Sequence, residues 1–225
     1  MGRMEYREIT PGDREWPKAL NRLVGHVPVP DRLWVRGHRL DEMHDKMAVV
    51  GARASTAYGD EMAQRIALGL AAQDCTIVSG AAYGIDSAAH RATLSIDGLT
   101  VAVLAGGVDV PYPRAHDQLI SRIAEEGSIV SAYPPGSPPT RTRFLERNWL
   151  VAALSEAVVV VEAGERSGTL STANRARKLD VPVFAVPGPV TSTTSVGTHN
   201  LIRSGTATLV TSAGDVLEEM KRRAR

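Results

Sequence analysis

VVGARAST (Val49–Thr56) and TIVSGAAYGIDSAAH (Thr76–His90) are the two stretches that decide the fold of this chain. In each, a short apolar run ends in a turn of small residues, and a segment with helical character follows. A strand that turns directly into a helix presents free backbone N–H groups, which can bind an anion. The two stretches therefore predict neighbouring strand-turn-helix units and a surface that binds phosphate.

Further apolar runs continue this alternation along the chain. The runs are MAVVG, CTIVSG, TVAVLAGG, SIVSAY, AVVVVEAG, PVFAVPG and TATLV, and segments of helical length separate most of them. Continuous Val, Ile and Ala runs are typical of strands buried on both faces of a parallel sheet that crossover helices cover. The pattern predicts a doubly wound, Rossmann-like α/β fold with a mostly parallel sheet and helices on both faces.

The domain organisation follows from length and composition. The chain has 225 residues and 43% hydrophobic content, enough for one core, and no long linker divides it. We expect residues 46–225 to form the Rossmann-like domain and residues 1–45 to form an extension packed on it. In the extension, DRLWVRG is a candidate edge strand and WPKALNRL a candidate short helix. The proline-rich YPPGSPPTRTRF predicts a loop before a helix near Leu145–Leu154.

Charge and cysteine content narrow the class of protein. The 26 Lys and Arg residues nearly balance the 25 Asp and Glu residues, so any basic site must be local. Cys75 is the single cysteine, and we expect it to fill the core rather than form a disulfide or bind metal. The polar N-terminus and the lack of a long apolar stretch predict a cytoplasmic protein without a membrane partner.

Ligands of open α/β sheets bind outside the carboxyl ends of the strands. The residues at the predicted strand ends are Gly51, Ser79, Gly80, Gly106, Gly107 and Gly164. Glycines there either serve a common ligand site or only permit tight turns. The chain has no Walker A loop, and no G-x-G-x-x-G follows a strand, so ATP hydrolysis and ordinary NAD chemistry lose support and we expect no cofactor.

Eight stretches resemble the DprA/Smf family of DNA-processing proteins and occur in the same order as in that family. They are VVGARAST, SGAAYGIDSAAH, TVAVLAGGVDVPYP, SIVSAYPPG, RFLERN, VVVVEAGERSGTLSTA, FAVPG and GTHNLIRSG, and they cover roughly Trp16 to Val210. The resemblance implies a Rossmann-like fold and a homodimer that binds single-stranded DNA and helps load the RecA recombinase during natural transformation. Many members add a helical domain before this unit and a winged-helix-like domain after it, so we expect a short form with the Rossmann-like domain only.

Arg53 is the first candidate contact for DNA. It follows Gly51 at a strand end, where its guanidinium can bind a phosphate held by turn N–H groups and Ser55 can add a hydroxyl donor. The alternative is that Arg53 pairs with a nearby carboxylate. Ser79 and Gly80 resemble a second anion-facing turn.

A third turn follows the AVVVVEAG run, at the start of a predicted helix. It contains Ser167, Gly168 and Thr169, and we expect all three turns to meet at one rim with Gly106.

The segment RTRFLERN places three arginines around one of only two phenylalanines in the chain. Arg141, Arg143 and Arg147 can follow a phosphate backbone while Phe144 stacks on a base, an arrangement typical of single-strand binding. Asn148 matches the Arg-Asn pair of the family and can bond to phosphate. The alternative is that Phe144 anchors the helix to the core and the arginines form a solvated face.

Other polar residues invite a catalytic interpretation that we do not favour. Asp86 and His90 stand four residues apart on a predicted helix, and we expect a hydrogen-bonded structural pair. Glu162 ends a strand, and we expect it to orient the turn at Ser167. The family resemblance implies no hydrolytic reaction, so we expect no catalytic residues and no metal.

Several positions depart from the pattern of the family. Tyr83 stands where SGxARGID has its arginine, Ala132 where SE-x-P has its glutamate, and Trp149 where RNR has its last arginine. Either DNA binding is weaker, with compensation from aromatic side chains, or the chain is tuned to another ligand.

The rival hypothesis is a nucleotide-binding protein of the wider superfamily that includes the LOG phosphoribohydrolases, either a sensor or a hydrolase. The LOG loop PGGxGT-x-x-E differs from EAGERSGTLSTA, and this difference disfavours the hydrolase.

Overall fold

Each predicted apolar run forms a strand of one sheet in the computed structural model, which describes residues 5–224. The strands are β1 (Arg7–Ile9), β2 (Leu33–Gly37), β3 (Met47–Val50), β4 (Ile77–Ser79), β5 (Thr100–Val103), β6 (Ser128–Ser131), β7 (Ala157–Val160), β8 (Val183–Ala185) and β9 (Thr208–Leu209). The helices are α1 (Ala57–Ala71), α2 (Ile85–Leu94), α3 (Asp117–Glu126), α4 (Arg141–Leu154), α5 (Thr169–Lys178), α6 (Val196–Arg203) and α7 (Ala213–Arg223). No helix within this range is long and apolar enough to cross a bilayer.

The strand order confirms the predicted doubly wound fold. It is β1-β2-β6-β5-β4-β3-β7-β8-β9, and all strands from β3 to β9 are parallel to their neighbours in that group. The chain builds the sheet outward from β3 in one direction as far as β6, and then returns to add β7, β8 and β9 on the other side. The order reverses between β3 and β7, and the crevice at such a switch point is where α/β sheets bind ligands.

The N-terminal segment extends the sheet itself. Strand β2 pairs antiparallel with β6 on one side and with β1 on the other, so the prediction that DRLWVRG forms an edge strand is wrong. The segment WPKALNRL contains the short 3₁₀ helix Lys18–Leu23, which buries Leu20 and Leu23 in the core that also contains the parallel strands. Residues 1–4 of the predicted extension lie outside the described residues, and the domain boundary at 45 stays a prediction.

Hydrophobic residues cover both faces of the sheet. Phe184 on β8 is among the largest fully buried side chains, and Cys75 is buried in the same core cluster, where burial raises the pKa of its thiol. The other phenylalanine, Phe144, belongs to none of the core clusters that the described residues form. The core therefore accounts for one of the two phenylalanines and leaves the other for a different role.

Helix α1 begins at a buried carboxylate. Thr56 caps the helix by accepting a hydrogen bond from the Gly59 N–H, and its own N–H and hydroxyl donate to Glu162 at 2.9 and 2.7 Å. The Thr194 hydroxyl donates to the same carboxylate at 3.0 Å. The prediction that Glu162 orients the turn at Ser167 is therefore wrong, because its oxygens bond to Thr56 and Thr194.

We expect Thr56→Ala to lower the free energy of unfolding by about 2 kcal/mol, because the helix loses its cap and Glu162 loses a donor. Thr56→Ser retains the hydroxyl and should lose less than half as much. Urea unfolding of the three proteins measures both values. Equal losses for the two variants would show that the hydroxyl is not the stabilising group.

Candidate functional site

A cleft of about 800 Å³ opens at the carboxyl ends of β3, β4 and β7, beside the switch point. The turn after β3, the start of α5 and one face of α4 line it. Most of the predicted site residues meet there, namely Gly51, Arg53, Gly80, Arg141, Phe144, Arg147, Asn148, Ser167, Gly168 and Thr169. Asp86 is the only acidic residue among those that line the cleft, so the cleft is basic although the chain is nearly neutral.

Phe144 forms the aromatic wall of the cleft. The Arg53 guanidinium lies 4.9 Å from the centre of its ring and the Arg147 guanidinium 5.7 Å, while the Tyr112 ring lies 5.5 Å away. Cations at these distances are attracted to the face of an aromatic ring. Arg53 is exposed and makes no ion pair within residues 5–224. The alternative, in which Arg53 pairs with a nearby carboxylate, is therefore not observed.

Arg147 lies in the floor of the cleft rather than on a solvated face. Its side chain is buried, with 7% of the residue exposed, and its Nη1 donates to the Val103 carbonyl at 3.0 Å. Its Nε has no acceptor in the described part of the chain. A Cβ on Gly80 would lie 1.5 Å from Nη1, so only glycine leaves room for this guanidinium. The sequence predicted that Arg147 follows a phosphate backbone or, as the alternative, lies on a solvated face, whereas the structure buries its guanidinium.

Asp86 occupies the second turn with its own carboxylate. Its Oδ2 accepts the N–H groups of Gly80 and Ala82 at 3.1 and 3.3 Å, and the Ser79 hydroxyl is buried and donates to the Val49 carbonyl. The prediction that Ser79 and Gly80 form an anion-facing turn is corrected, since an internal anion already fills it. Burial raises the pKa of Asp86, and the charge of Arg147 opposes this rise.

The third turn lies at the start of α5 and is tied to the first. The Ser167 hydroxyl accepts the Thr169 N–H at 3.2 Å, and the Thr169 hydroxyl donates to the Gly51 carbonyl at 2.8 Å. Among the described residues, the Gly168 N–H has no hydrogen-bond acceptor. A free N–H at a helix start, beside the positive end of the helix dipole, favours an anion.

The structure keeps three further predicted residues out of the cleft. The Ser55 hydroxyl donates to Asp60 at 2.5 Å, and Arg143 donates to the Pro138 carbonyl at 2.6 Å while it lies over the Tyr133 ring. These two corrections have one cause, because each side chain has a partner close to it in sequence.

Gly106 is the third of these residues, and the proline-rich loop covers it. A Cβ there would lie 2.7 Å from the Ser137 carbonyl oxygen, so the glycine permits close packing of the loop. The Asp109 carboxylate accepts the Gly136 N–H at 2.8 Å and fixes the same loop. Gly106 is therefore structural, and its assignment as a ligand contact is corrected.

Sequence reasoning missed the start of α4. The helix begins at Arg141, four residues before the predicted Leu145, because the Thr140 side chain accepts the Arg143 N–H and caps it. A threonine that follows prolines and precedes a helical pattern is a readable N-cap signal. Thr140 and Pro139 both line the cleft, so this signal also marks residues of the site.

The predicted pair of Asp86 and His90 does not form. His90 is fully buried, and its Nδ1 lies 2.7 Å from the Thr100 hydroxyl, which itself donates to the Ile77 carbonyl. The Thr100 oxygen therefore accepts the Nδ1–H, and the Nε2 atom has no partner in the part of the chain described. Burial lowers the pKa of His90 to about 3.

Residues 7–221 match the family model described as DNA recombination-mediator protein A. The chain belongs to the DprA/Smf family. A DprA/Smf relative from Mycobacterium tuberculosis, a DNA processing protein DprA, is 54% identical over 94% of this chain, and the protein Smf of Escherichia coli is 39% identical over 95%. The chain spans 57% and 56% of the lengths of these relatives.

A solved DprA/Smf structure has the same fold. The DNA processing protein A of Helicobacter pylori, solved for its mode of binding single-stranded DNA, superposes with a TM-score of 0.87 and 29% identity. The match covers 98% of this chain and 97% of that chain. The described fold is therefore that of the DprA/Smf family over nearly its whole length.

We expect Gly80→Ala to lower the free energy of unfolding by about 2 kcal/mol, because the new Cβ displaces the Arg147 guanidinium from its buried position. In an Arg147→Ala background the same change should be nearly neutral, since the clash is gone. Urea unfolding of the four proteins gives the interaction energy directly. Gly12→Ala, at a glycine with open space around it, is the matched control. Additive losses would contradict this packing.

His90 should make the protein less stable in mild acid. The unfolded chain takes up a proton near pKa 6.5 and the folded state only near about 3, so the free energy of unfolding falls as the pH drops through this window. The loss attributable to His90 at pH 5 is about 2 kcal/mol. Urea unfolding at pH 7 and pH 5 should show a smaller drop for His90→Gln. The same drop in both proteins would count against this assignment.

Proposed function

We propose that the cleft binds single-stranded DNA through phosphate contacts and base stacking, and that the protein catalyses no reaction on it. The observation that carries the proposal is the cluster of Arg53, Phe144 and Arg147 at the switch point of the sheet. A buried guanidinium and an exposed guanidinium flank one aromatic ring. Backbone-tracking cations beside a stacking platform are how proteins bind single strands without reading sequence.

The lining of the cleft suits the two parts of a nucleotide. Gly168, Arg53 and Arg141 line it, and a phosphate there is favoured by charge and by the start of α5. Phe144 offers an aromatic ring that core packing does not use. Asn148 lies beside it on α4 and supplies an amide for further polar contact.

A single strand fits this arrangement better than a duplex. Stacking on Phe144 needs a base whose face is free, and a base in a duplex becomes free only when it leaves the stack and its pairing. The cleft lies between a turn and a helix, whereas duplex DNA is bound by elements that enter its grooves.

The family relationship supports the wider role. The matched family model is described as a recombination mediator, and the Helicobacter pylori relative was solved for its binding of single-stranded DNA. We propose that this chain protects single-stranded DNA and helps load the RecA recombinase during DNA uptake, as a homodimer in the cytoplasm. RecA and a second copy of the chain are thus its proposed partners.

The acidic residues near the cleft support a role in binding rather than catalysis. Asp86 accepts two backbone N–H groups, and Glu162 accepts bonds from Thr56 and Thr194. A general base needs an acceptor directed at the substrate. Both oxygens of Glu162 and the Oδ2 atom of Asp86 thus accept hydrogen bonds from the fold.

Fluorescence anisotropy with labelled oligothymidylate across a salt series tests the proposal. Arg53→Ala should weaken binding. It should also reduce the steepness of the plot of the logarithm of the binding constant against the logarithm of salt concentration by about 0.7, the value for one phosphate of a single strand. Phe144→Leu keeps an apolar side chain but loses the ring, and it should weaken binding by about 1–3 kcal/mol with the salt dependence unchanged. Phe144→Trp should restore most of the affinity.

Arg65→Ala is the matched control, because Arg65 is also exposed, lies on α1, pairs with Glu61 and does not line the cleft. Duplex DNA and thymidine monophosphate serve as competitors. If the protein binds the mononucleotide tightly and binds the oligonucleotide no more tightly, the result would favour the nucleotide-sensor hypothesis over the proposed function. Failure of the folded protein to bind any oligonucleotide at low salt would refute it.

A further inference from the structure

A second groove opens on the far side of Arg53, between the start of α1 and α2. Its volume is about 640 Å³, and it is lined by polar side chains together with Tyr83 and Arg91. A small cavity bordered by Arg53, Tyr83, Tyr112 and Phe144 shares lining residues with the cleft and with the groove. Arg53 lines all three, so the cleft and the groove are adjacent at this residue.

Tyr83 is an exposed aromatic ring in a fixed position. Of its surface, 47% is exposed, and its ring packs edge-on at 4.8 Å against the ring of His116. His116 is itself buried, and its Nδ1–H donates to the Ala81 carbonyl at 3.0 Å. A ring that neighbours already hold loses little conformational entropy when a ligand stacks on it.

The charges that face the groove favour an anion along one side. Arg53 and Arg91 are exposed, and neither makes an ion pair within residues 5–224. The one acidic residue that lines the groove is Asp60, and its carboxylate accepts a hydrogen bond from Ser55. Two free cations thus outnumber one carboxylate that is already bonded.

We infer that a single strand held in the cleft continues past Arg53 into this groove, where a base stacks on Tyr83 and a phosphate meets Arg91. This inference rests on the proposed function and adds a second contact region to it. The cleft and the groove together offer two aromatic side chains, Phe144 and Tyr83, and two exposed cations, Arg53 and Arg91. A single strand brings several bases and phosphates to such a surface, whereas a mononucleotide brings one of each.

The groove therefore matters only for ligands long enough to reach it. The affinity for dinucleotides that fill the cleft should not depend on Tyr83 or Arg91, whereas the affinity for longer oligothymidylates should. Tyr83 contributes stacking, which salt hardly changes, and Arg91 contributes phosphate neutralisation, which salt weakens.

A length series of labelled oligothymidylates, from the dinucleotide upward, tests the inference by anisotropy. Tyr83→Leu should weaken the longer oligonucleotides about tenfold and leave the dinucleotide unchanged, and Tyr83→Phe should bind like the wild type. Arg91→Ala should reduce the steepness of the plot of log binding constant against log salt concentration by about 0.7, for the longer oligonucleotides only. Arg222→Ala is the control, because Arg222 is exposed on α7 and pairs with Glu219.

The outcomes separate this inference from the proposed function. If wild type and all the groove variants bind every length equally, the groove is not a contact region, although the cleft still binds DNA. If Tyr83→Leu weakens the dinucleotide as much as the longer strands, the ring acts on the cleft and the inference fails. If no oligonucleotide binds to the folded wild type, the proposed function fails and the inference fails with it.

Discussion

The burial of one guanidinium against one glycine determines how the parts of this structure meet. Arg147 reaches from α4 to the Val103 carbonyl at the end of β5, and its Nη1 occupies the space that a Cβ on Gly80 would fill. Burying a cation is unfavourable unless polar groups surround it. The carbonyl and the nearby charge of Asp86 offset this penalty, and α4 is held across the strand ends as a result. Because Phe144 lies one turn earlier on α4, the same contact sets the position of the aromatic wall.

The sequence was sufficient for the sheet but not for the details of the cleft. Continuous apolar runs predicted every strand from β3 to β9, because burial on both faces leaves a signal in each run separately. Strand β2 was misplaced at the edge, because nothing in DRLWVRG specifies which strands it lies between. Thr140 carried a local cap signal that was present and overlooked.

The side-chain partners of Ser79, Ser55 and Asp86 were beyond such reasoning, for a physical reason. A serine after a strand can face a ligand or bond to the next strand, and only the register of that strand decides. Ser79 bonds to the Val49 carbonyl, and Asp86 folds back onto the Gly80 N–H. Arg53 and Phe144 were predicted as separate candidate contacts from residue types and family resemblance, and the contact between them required the folded structure.

The proline-rich loop over Gly106 leads into Pro139 and Thr140, which line one edge of the cleft. Its prolines restrict the backbone, the Asp109 carboxylate accepts the Gly136 N–H, and the Ser137 carbonyl accepts the Gly107 N–H, so the fold itself holds this edge in place. An edge that is already formed needs no slow closing step, so the encounter with a ligand is governed by diffusion and charge. Differences in affinity among ligands of equal charge then arise mainly in how fast each one leaves, and residence time becomes the quantity by which this cleft discriminates.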